Sequence, residues 1–269
     1  MTCEVISTGG RAGNAILVNG SILFDCGVHY RQLKPWTDEL SLVFLTHSHC
    51  DHFNISTIRK IRRHHPNVRF VCCRNLLVPL VTRAKVAPNR IIQMEPGVAQ
   101  VIRGWGAESI EALAFPLVHE VPNVGYLIRI TGGEEDGSAI YATDTRYMPI
   151  SAPDLDLYMI EGSYHQAMAD SCQDSPFWFR RSQNHMSIET AMEWLRDNAD
   201  HERSRIVFLH GYKEGEDDSM DSGVFQSDQT SKDNEAGGYS EADQQGCKPQ
   251  CHGGWDAGES VALGGTECH

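Results

Sequence analysis

Short apolar runs bounded by glycine, asparagine or proline recur along the first 210 residues. Runs of this length and spacing are typical of strands separated by tight turns. They predict strands at 4–7, 15–18, 21–24, 42–45, 68–72, 90–94, 98–103, 110–115, 125–131, 139–142, 155–160 and 205–209. Most of these runs are only four to six residues long, so the strands are expected to be short.

Helical spacing of apolar residues occurs between the strands. Residues 55–65 stop before Pro66, where a helix must end, and residues 76–84 predict a second helix. Residues 187–198 predict a third helix with Ser187 as its N-cap and one apolar face, made of Ile188, Ala191, Met192 and Leu195. Strands with helices between them predict an α/β fold, a four-layer αββα sandwich in which helices cover two sheets.

Charge is distributed unevenly along the chain. The formal net charge is -13, but residues 214–269 hold 13 Asp and Glu against Lys232 and Lys248, which leaves -2 for residues 1–213. The acidic stretch is rich in Gly and Ser and has no periodic apolar face, so it cannot bury enough surface to offset its ordering entropy. We expect one folded domain at 1–213 and a disordered tail at 214–269.

The nine cysteines are scattered, and the chain shows neither a secretory signal nor an apolar run of about 18 residues. We therefore expect a cytoplasmic protein without membrane contact, in which free thiols serve as inert packing residues. These are Cys3, Cys26, Cys50, Cys72, Cys73 and Cys172. Cys247, Cys251 and Cys268, with His252 and His269, match no zinc module, which favours chance.

Potential metal ligands are concentrated in THSHCDHFN, residues 46–54, directly after an apolar run. Side chains diverge on such a turn, so His47, His49, Asp51 and His52 could face two ions; imidazole and carboxylate are ligands for zinc and similar metals. A histidine-rich surface turn is the alternative. His119, Asp144 and His210 each follow a predicted strand, and strand ends are where open sheets present ligands.

The order His-x-His-x-Asp-His, then His, Asp and His, resembles the metallo-β-lactamase fold superfamily over residues 3 to about 212. The resemblance implies that His47, His49 and His119 hold a first metal. It implies that Asp51, His52 and His210 hold a second metal and that Asp144 bridges both. The run 24–27 also matches, and implies that Asp25 orients the ligand turn. Two zinc ions are the implied cofactors, although manganese also fits these ligand types.

Two metals can hold a bridging hydroxide that attacks esters, thioesters, lactams and phosphodiesters alike. Phosphodiester cleavage also benefits from a general acid, and a helix N-terminus favours phosphate. His185 before a predicted helix and Glu161 at a strand end resemble the tRNase Z branch, which implies that Glu161 orients His185 as the acid. The turn here is His-Met-Ser rather than His-Ser-Thr, and a solvent-exposed His185 is the alternative. Asp51, Glu161 and His185 are the candidate catalytic residues.

Two intervals are short. Residues 120–143 leave no room for the tRNA-gripping arm of tRNase Z, and residues 145–209 leave none for the extra domain of β-CASP nucleases. The chain more closely resembles compact phosphodiesterases, including prophage members and single-domain bacterial nucleases with a similar opening stretch at 7–15. Within 165–184, the run PFWFRR could stack bases and neutralise phosphate, or pack on the body or a second subunit. The basic stretch 59–65 is favoured as a solvated helix face over a nucleic-acid contact.

The leading hypothesis is a dinuclear metal-dependent phosphodiesterase whose partner is a nucleic acid or nucleotide substrate: RNA, DNA or an oligonucleotide. The nearest alternative is hydrolysis of cyclic nucleotides, as in phage anti-defence proteins of this superfamily. An acyl hydrolase for lactones, thioesters or lactams would leave Glu161 and His185 without a role. A non-enzymatic metal-binding scaffold is the remaining class. The resemblance also implies a homodimer.

Overall fold

The computed structural model describes residues 1–9, 12–103, 108–133, 135–171 and 175–210. The tail expected at 214–269, with its cysteines, and Cys172 lie outside the described residues, so both expectations stay predictions. None of the helices in the described ranges is long and apolar enough to cross a bilayer.

The first sheet is built from the first third of the chain. Its strands, in spatial order, are β1 (Cys3–Thr8), β2 (Asn14–Val18), β3 (Ile22–Phe24), β4 (Leu42–Leu45), β5 (Arg69–Cys73) and β6 (Ile91–Met94). The first three strands are antiparallel, and those from β3 to β6 are parallel. All four residues of β4 are buried, as expected of a central parallel strand. The carboxyl ends of β3, β4 and β5 therefore meet at one edge.

The second sheet also consists of antiparallel strands followed by parallel strands. Its strands are β7 (Ala99–Arg103), β8 (Ser109–Leu117), β9 (Asn123–Thr131), β10 (Gly137–Ala142), β11 (Leu157–Glu161) and β12 (Arg205–Leu209), also in spatial order. Strands β7 to β10 pair antiparallel, whereas β10, β11 and β12 are parallel. The ends of β10, β11 and β12 thus form a second edge of parallel strands. Asp144 lies two residues after β10, Glu161 is the last residue of β11, and His210 directly follows β12.

Helices cover the outer faces. They are α1 (Tyr30–Leu33), α2 (Ile55–His64), α3 (Arg74–Thr82), α4 (Gln166–Ser171), α5 (Pro176–Asn184) and α6 (Ile188–Asn198), with short 3-10 turns at Lys34–Trp36 and Pro88–Arg90. Helices α2 and α3 bury Ile58, Ile61, Leu76 and Leu80 against the first sheet. Helix α6 buries Ala191 and Leu195 against the second. An apolar layer that includes stacked Phe24, Phe44 and Tyr141 separates the sheets. The predicted four-layer αββα fold is confirmed.

Several local expectations need correction. Met192 was expected on the buried face of α6 but is 42% exposed, because the helix rests on the sheet along a narrower stripe through Ala191 and Leu195. Cys50 was expected to pack inside but is exposed, because it lies on the outward side of the ligand turn. Ser187 caps α6 as predicted and accepts a hydrogen bond from the Thr190 amide at 3.2 Å. Residues 166–171 and 176–184 form helices that the sequence pattern did not assign.

Candidate metal centre

The turn between β4 and α2 is held by backbone hydrogen bonds to the first sheet. The Asn14 amide donates to Asp51 O at 2.6 Å, and the Cys26 amide donates to His52 O at 2.9 Å. Gly27 makes this contact feasible, because a Cβ on that residue would lie 1.7 Å from Asp51 O. Asn54 ends the turn as the N-cap of α2. The four ligand candidates of the turn are therefore presented by a fixed backbone.

Three histidine nitrogens converge at one side of the turn. His47 Nε2 lies 3.1 Å from His49 Nδ1, and His119 Nε2 lies 3.2 Å from the same atom. His119 follows β8 of the second sheet, so the group joins the two sheets. Three imidazoles in such proximity offer the nitrogen donors that first-row divalent ions bind.

A second group lies beside the first. Asp51, His52 and His210 offer one donor atom each, and these atoms lie within 4.8 Å of one another. Asp144 lies between the groups: its Oδ2 is 2.8 Å from His52 Nε2 and 3.9 Å from His47 Nε2, and its Oδ1 is 3.1 Å from His210 Nδ1. Despite that proximity, the buried His210 Nδ1 has no hydrogen-bond partner of acceptable geometry among the described residues. The donor set therefore fits divalent cations.

Three polar residues that follow strand ends at this site have an uncommon backbone conformation. Asp25, Asp144 and His210 have φ angles of 56°, 52° and 60°, in the left-handed region that Asp and His enter more readily than bulky residues. Such residues cluster at functional sites, where the surrounding structure maintains the conformation. A Cβ on Gly9 would lie 2.0 Å from His210 Cδ2, so the backbone at Gly9 packs directly against the His210 imidazole.

A buried carboxylate, that of Asp25, orients the ligand turn at residues 46–54 through hydrogen bonds. Asp25 is fully buried and accepts hydrogen bonds from His52 Nδ1 at 2.6 Å, Tyr141 OH at 2.9 Å and the Thr46 amide at 3.0 Å. Burial lowers the pKa of His52, but the charges of Asp144 and Asp25 outweigh it and raise that pKa to about 10. Because Nδ1 of His52 faces Asp25, Nε2 is the atom directed at Asp144.

Glu161 and His185 form a pair at the rim of the cluster. Glu161 ends β11 and is fully buried; its Oε1 lies 3.0 Å from His185 Nδ1, and its Oε2 accepts a hydrogen bond from the Asp144 amide. Burial raises the pKa of Glu161, but His185 and His210 outweigh it and lower that pKa to about 2. The His185 side chain is 20% exposed, and its ring centre lies 5.6 Å from that of His119. The histidine therefore borders both solvent and the cluster.

All the predicted site residues come together in the fold. They are His47, His49, Asp51, His52, His119, Asp144, Glu161, His185 and His210. Their roles as ligands or catalysts stay predictions. The insertion at 165–184 contributes less directly: Asn184 O lies 3.4 Å from His119 Nδ1, Trp178 packs edge-on against Tyr164, and Phe177 and Phe179 are exposed. One of the three aromatics thus packs on the body.

Two residues of the centre were missed as candidates. Asn14 is 1% exposed, and its Nδ2 lies 2.8 Å from His52 Nε2 and 3.1 Å from His210 Nε2. A polar residue that opens an otherwise apolar strand was the available signal. Tyr141 offered none, because a tyrosine in an apolar strand is ordinary core composition.

Residues 21–210 match the family model described as beta-lactamase superfamily domain. The chain belongs to this superfamily. The superfamily's fold is one of metal-dependent hydrolases, and together with the His and Asp cluster it indicates divalent metal binding. No curated protein matches the chain.

Solved structures of related fold support the assignment of the architecture. The metallo-beta-lactamase fold protein YhfI from Bacillus subtilis has 18% identity and a TM-score of 0.54 over 78% of this chain and 85% of its own. The human short-form tRNase Z has 15% identity and a TM-score of 0.54 over 78% and 92%. A diphosphatase of the PhnP family has 16% identity and a TM-score of 0.52 over 78% and 86%. At these identities the likeness concerns the fold.

Proposed function

We propose that the protein is a dinuclear metal-dependent phosphodiesterase that acts on RNA, DNA or oligonucleotides. The observation that carries the proposal is the pair formed by His185 Nδ1 and Glu161 Oε1, 3.0 Å apart at the rim of the cluster. A phosphodiester expels an alkoxide, which needs a proton as it leaves, and a histidine held beside the reacting centre supplies one. A tRNase Z and a diphosphatase among proteins of similar fold support this choice.

The donor groups divide into two sets. His47, His49 and His119 would hold one ion and Asp51, His52 and His210 the other, with Asp144 shared. Zinc is the proposed metal, and manganese suits the same donors. When bound, the ions supply an activated water and neutralise charge on the phosphate oxygens. Asp25 holds His52 so that Nε2 faces the centre.

The proton is positioned by Glu161. As a carboxylate it accepts a hydrogen bond from His185 Nδ1, so the mobile proton of the imidazolium is the one on Nε2. Loss of that proton to the leaving alkoxide leaves a neutral imidazole with the tautomer that Glu161 favours. Since Glu161 also accepts from the Asp144 amide, it couples the position of the acid to that of the proposed bridging ligand.

The test compares leaving groups. His185→Ala is assayed on a thymidine dinucleotide, which expels an alkoxide, and on the p-nitrophenyl ester of thymidine monophosphate, whose phenolate leaves without protonation. We expect kcat on the dinucleotide to fall by about 10²–10⁴ and kcat on the ester to fall far less. His165→Ala removes a histidine that is 58% exposed and is the matched control.

Each outcome distinguishes between candidates. An equal fall on both substrates would show that His185 does not protonate the leaving group. Absence of turnover on both by the wild-type protein, with two metal equivalents measured, would contradict the phosphodiesterase and favour acyl substrates. Turnover of a cyclic mononucleotide in preference to any linear substrate would favour the cyclic-nucleotide alternative.

A further inference from the structure

Positive charge is concentrated in one stretch of the folded part of the chain. Residues 55–90 contain nine Lys and Arg and no Asp or Glu, a net charge of +9. Residues 91–213 contain 18 Asp and Glu against nine Lys and Arg, a net charge of -9. The near-neutral total of residues 1–213 therefore conceals a strong separation of charge.

The fold places these cations on one surface. Helices α2 and α3 turn their apolar residues toward the first sheet, so their polar residues face outward. We name the exposed cations of this layer the basic face: Arg59, Lys60, Arg63, Arg74, Arg83 and Lys85. Arg90 is excluded, because its guanidinium donates to the carbonyls of Arg62, His65 and Val68. The basic face thus consists of solvent-exposed cationic side chains.

The charge of the basic face is not neutralised by the described residues. None of its six side chains lies within ion-pair distance of a carboxylate in the ranges that the structure describes. The contacts they make leave the charge intact: Arg59 Nε donates to Arg83 O at 2.9 Å, and Lys60 Nζ lies 5.8 Å from the centre of the Tyr30 ring. A merely solvated helix face in an acidic protein would be expected to mix both signs. Unpaired cations of one sign attract polyanions.

The basic face begins at the edge that holds the metal centre. Arg74 directly follows β5, which is parallel to β4, so it lies at the same edge as the ligand turn. Its neighbour Asn75 donates to Pro122 O at 2.9 Å, close in sequence to His119. Helix α2 starts immediately after the turn and extends about 15 Å away from it. The cations therefore lead outward from the centre.

We propose that the basic face binds the phosphate backbone of a single-stranded polynucleotide while one of its phosphodiesters lies at the metal centre. The inference rests on the proposed phosphodiesterase function and narrows its substrate class. Regularly spaced phosphates complement a series of cations that runs away from the reacting position. A cyclic mononucleotide, with its phosphate at the centre, has no charge left to reach the face.

The experiment neutralises the basic face and compares substrates of different length. The variant Arg59→Gln/Lys60→Gln/Arg63→Gln removes three charges, and Arg129→Gln/Arg196→Gln/Arg203→Gln removes three exposed charges from the second sheet and its side of the molecule. The metal-loaded full-length proteins are assayed on bis-p-nitrophenyl phosphate, a dinucleotide, and single-stranded dodecamers of RNA and of DNA. Circular dichroism checks that both variants are folded.

We expect the basic-face variant to lose about tenfold or more in kcat/KM on a dodecamer at low salt. The slope of log(kcat/KM) against log salt should become shallower by about 2, since each phosphate contact on a single strand contributes about 0.7. Turnover of bis-p-nitrophenyl phosphate should stay within twofold, and the control variant should match wild type on every substrate. The RNA and DNA dodecamers report which sugar is preferred.

Three results would overturn the inference: equal losses in the two variants, a wild-type kcat/KM that does not rise from dinucleotide to dodecamer, or a basic-face variant that acts on the dodecamer as well as wild type. The last result is expected if residues 214–269, rather than a substrate, occupy the face. Failure of the proposed function is separate, because it abolishes turnover of bis-p-nitrophenyl phosphate. Fluorescence anisotropy of a labelled dodecamer would then test the face by binding, with the same comparison of variants.

Discussion

Tyr141→Phe tests whether the carboxylate behind the ligand turn orients the metal centre. The Tyr141 hydroxyl donates to Asp25 Oδ2 at 2.9 Å, and the same oxygen lies 2.6 Å from His52 Nδ1. The substitution removes one hydroxyl and keeps the ring that packs against Phe24. It therefore changes the hydrogen bond with little change in the core.

The magnitude follows from the burial and the charge of the acceptor. Both residues are fully buried, and a hydrogen bond to a charged group contributes about 1.5–3 kcal/mol. Asp25 keeps donors from Thr46 and His52, so we expect the lower half of that range. For a domain of this size the change lowers Tm by about 3–9 °C. Mutation of a residue that hydrogen-bonds to a metal ligand lowers metal affinity by about 10–100-fold. Tyr141 contacts such a residue, Asp25, rather than a proposed ligand, so we expect metal affinity to fall by about tenfold.

The assay combines thermal unfolding with chelator competition for the metal. Tyr158→Phe is the matched control: Tyr158 is equally buried, and its hydroxyl lies 2.8 Å from Ala152 O and 2.7 Å from Asn198 O, on the other face of the second sheet. The control should lose stability and keep wild-type metal affinity. Unchanged affinity in Tyr141→Phe, or an equal loss of affinity in both variants, would refute the role of the Asp25 network.

Three further predictions concern the same centre. Gly27→Ala would place a methyl group 1.7 Å from Asp51 O, so we expect the purified variant to retain less than one metal equivalent; full retention would contradict the close contact. Because nearby carboxylates raise the pKa of His52 to about 10 and also raise the pKa of His210 well above its usual range, metal uptake near neutral pH should release about two protons, measured by calorimetry in buffers of different ionisation enthalpy; no release would be inconsistent with protonated histidines. Protonated His52 stabilises the metal-free fold fully below pH 6.5, and this stabilisation is lost as the pH rises through about 10. Asn14→Leu removes the amide beside His52 and His210 and should weaken metal binding with little change in secondary structure by circular dichroism; unchanged affinity would assign Asn14 to packing alone.

The fold class could be predicted from the sequence because strands and helices follow from the pattern of apolar residues within short segments. Each of the twelve predicted strands corresponds to a strand of the structure within a few residues, and the helix at 55–65 ends at His64, before Pro66. The helices at 166–171 and 176–184 were missed, since their aromatic and polar residues do not form a regular apolar stripe. Burial of single residues was also harder to predict: Met192 is exposed because α6 contacts the sheet along a narrow stripe through Ala191 and Leu195.

The types of the candidate ligands were determined by the sequence alone. Imidazoles and carboxylates after apolar strands imply metal chemistry whatever the topology, because those side chains are the donors that divalent ions bind. The sequence also separated basic residues 55–90 from acidic residues 91–213.

Only the tertiary structure decided which of these groups meet. The parallel ends of β3 to β5 and of β10 to β12, together with the end of β8, bring His47, His119 and His210 together from distant parts of the chain. The contact between Glu161 and His185 depends on the packing of the segment after β11 against the start of α6, where the Ser163 amide donates to Met186 O at 2.9 Å. The parts played by Asn14 and Tyr141 depend on distances across the core, which no local pattern encodes. Residue chemistry is a property of each position, whereas a metal centre is a property of the packing that makes those positions converge.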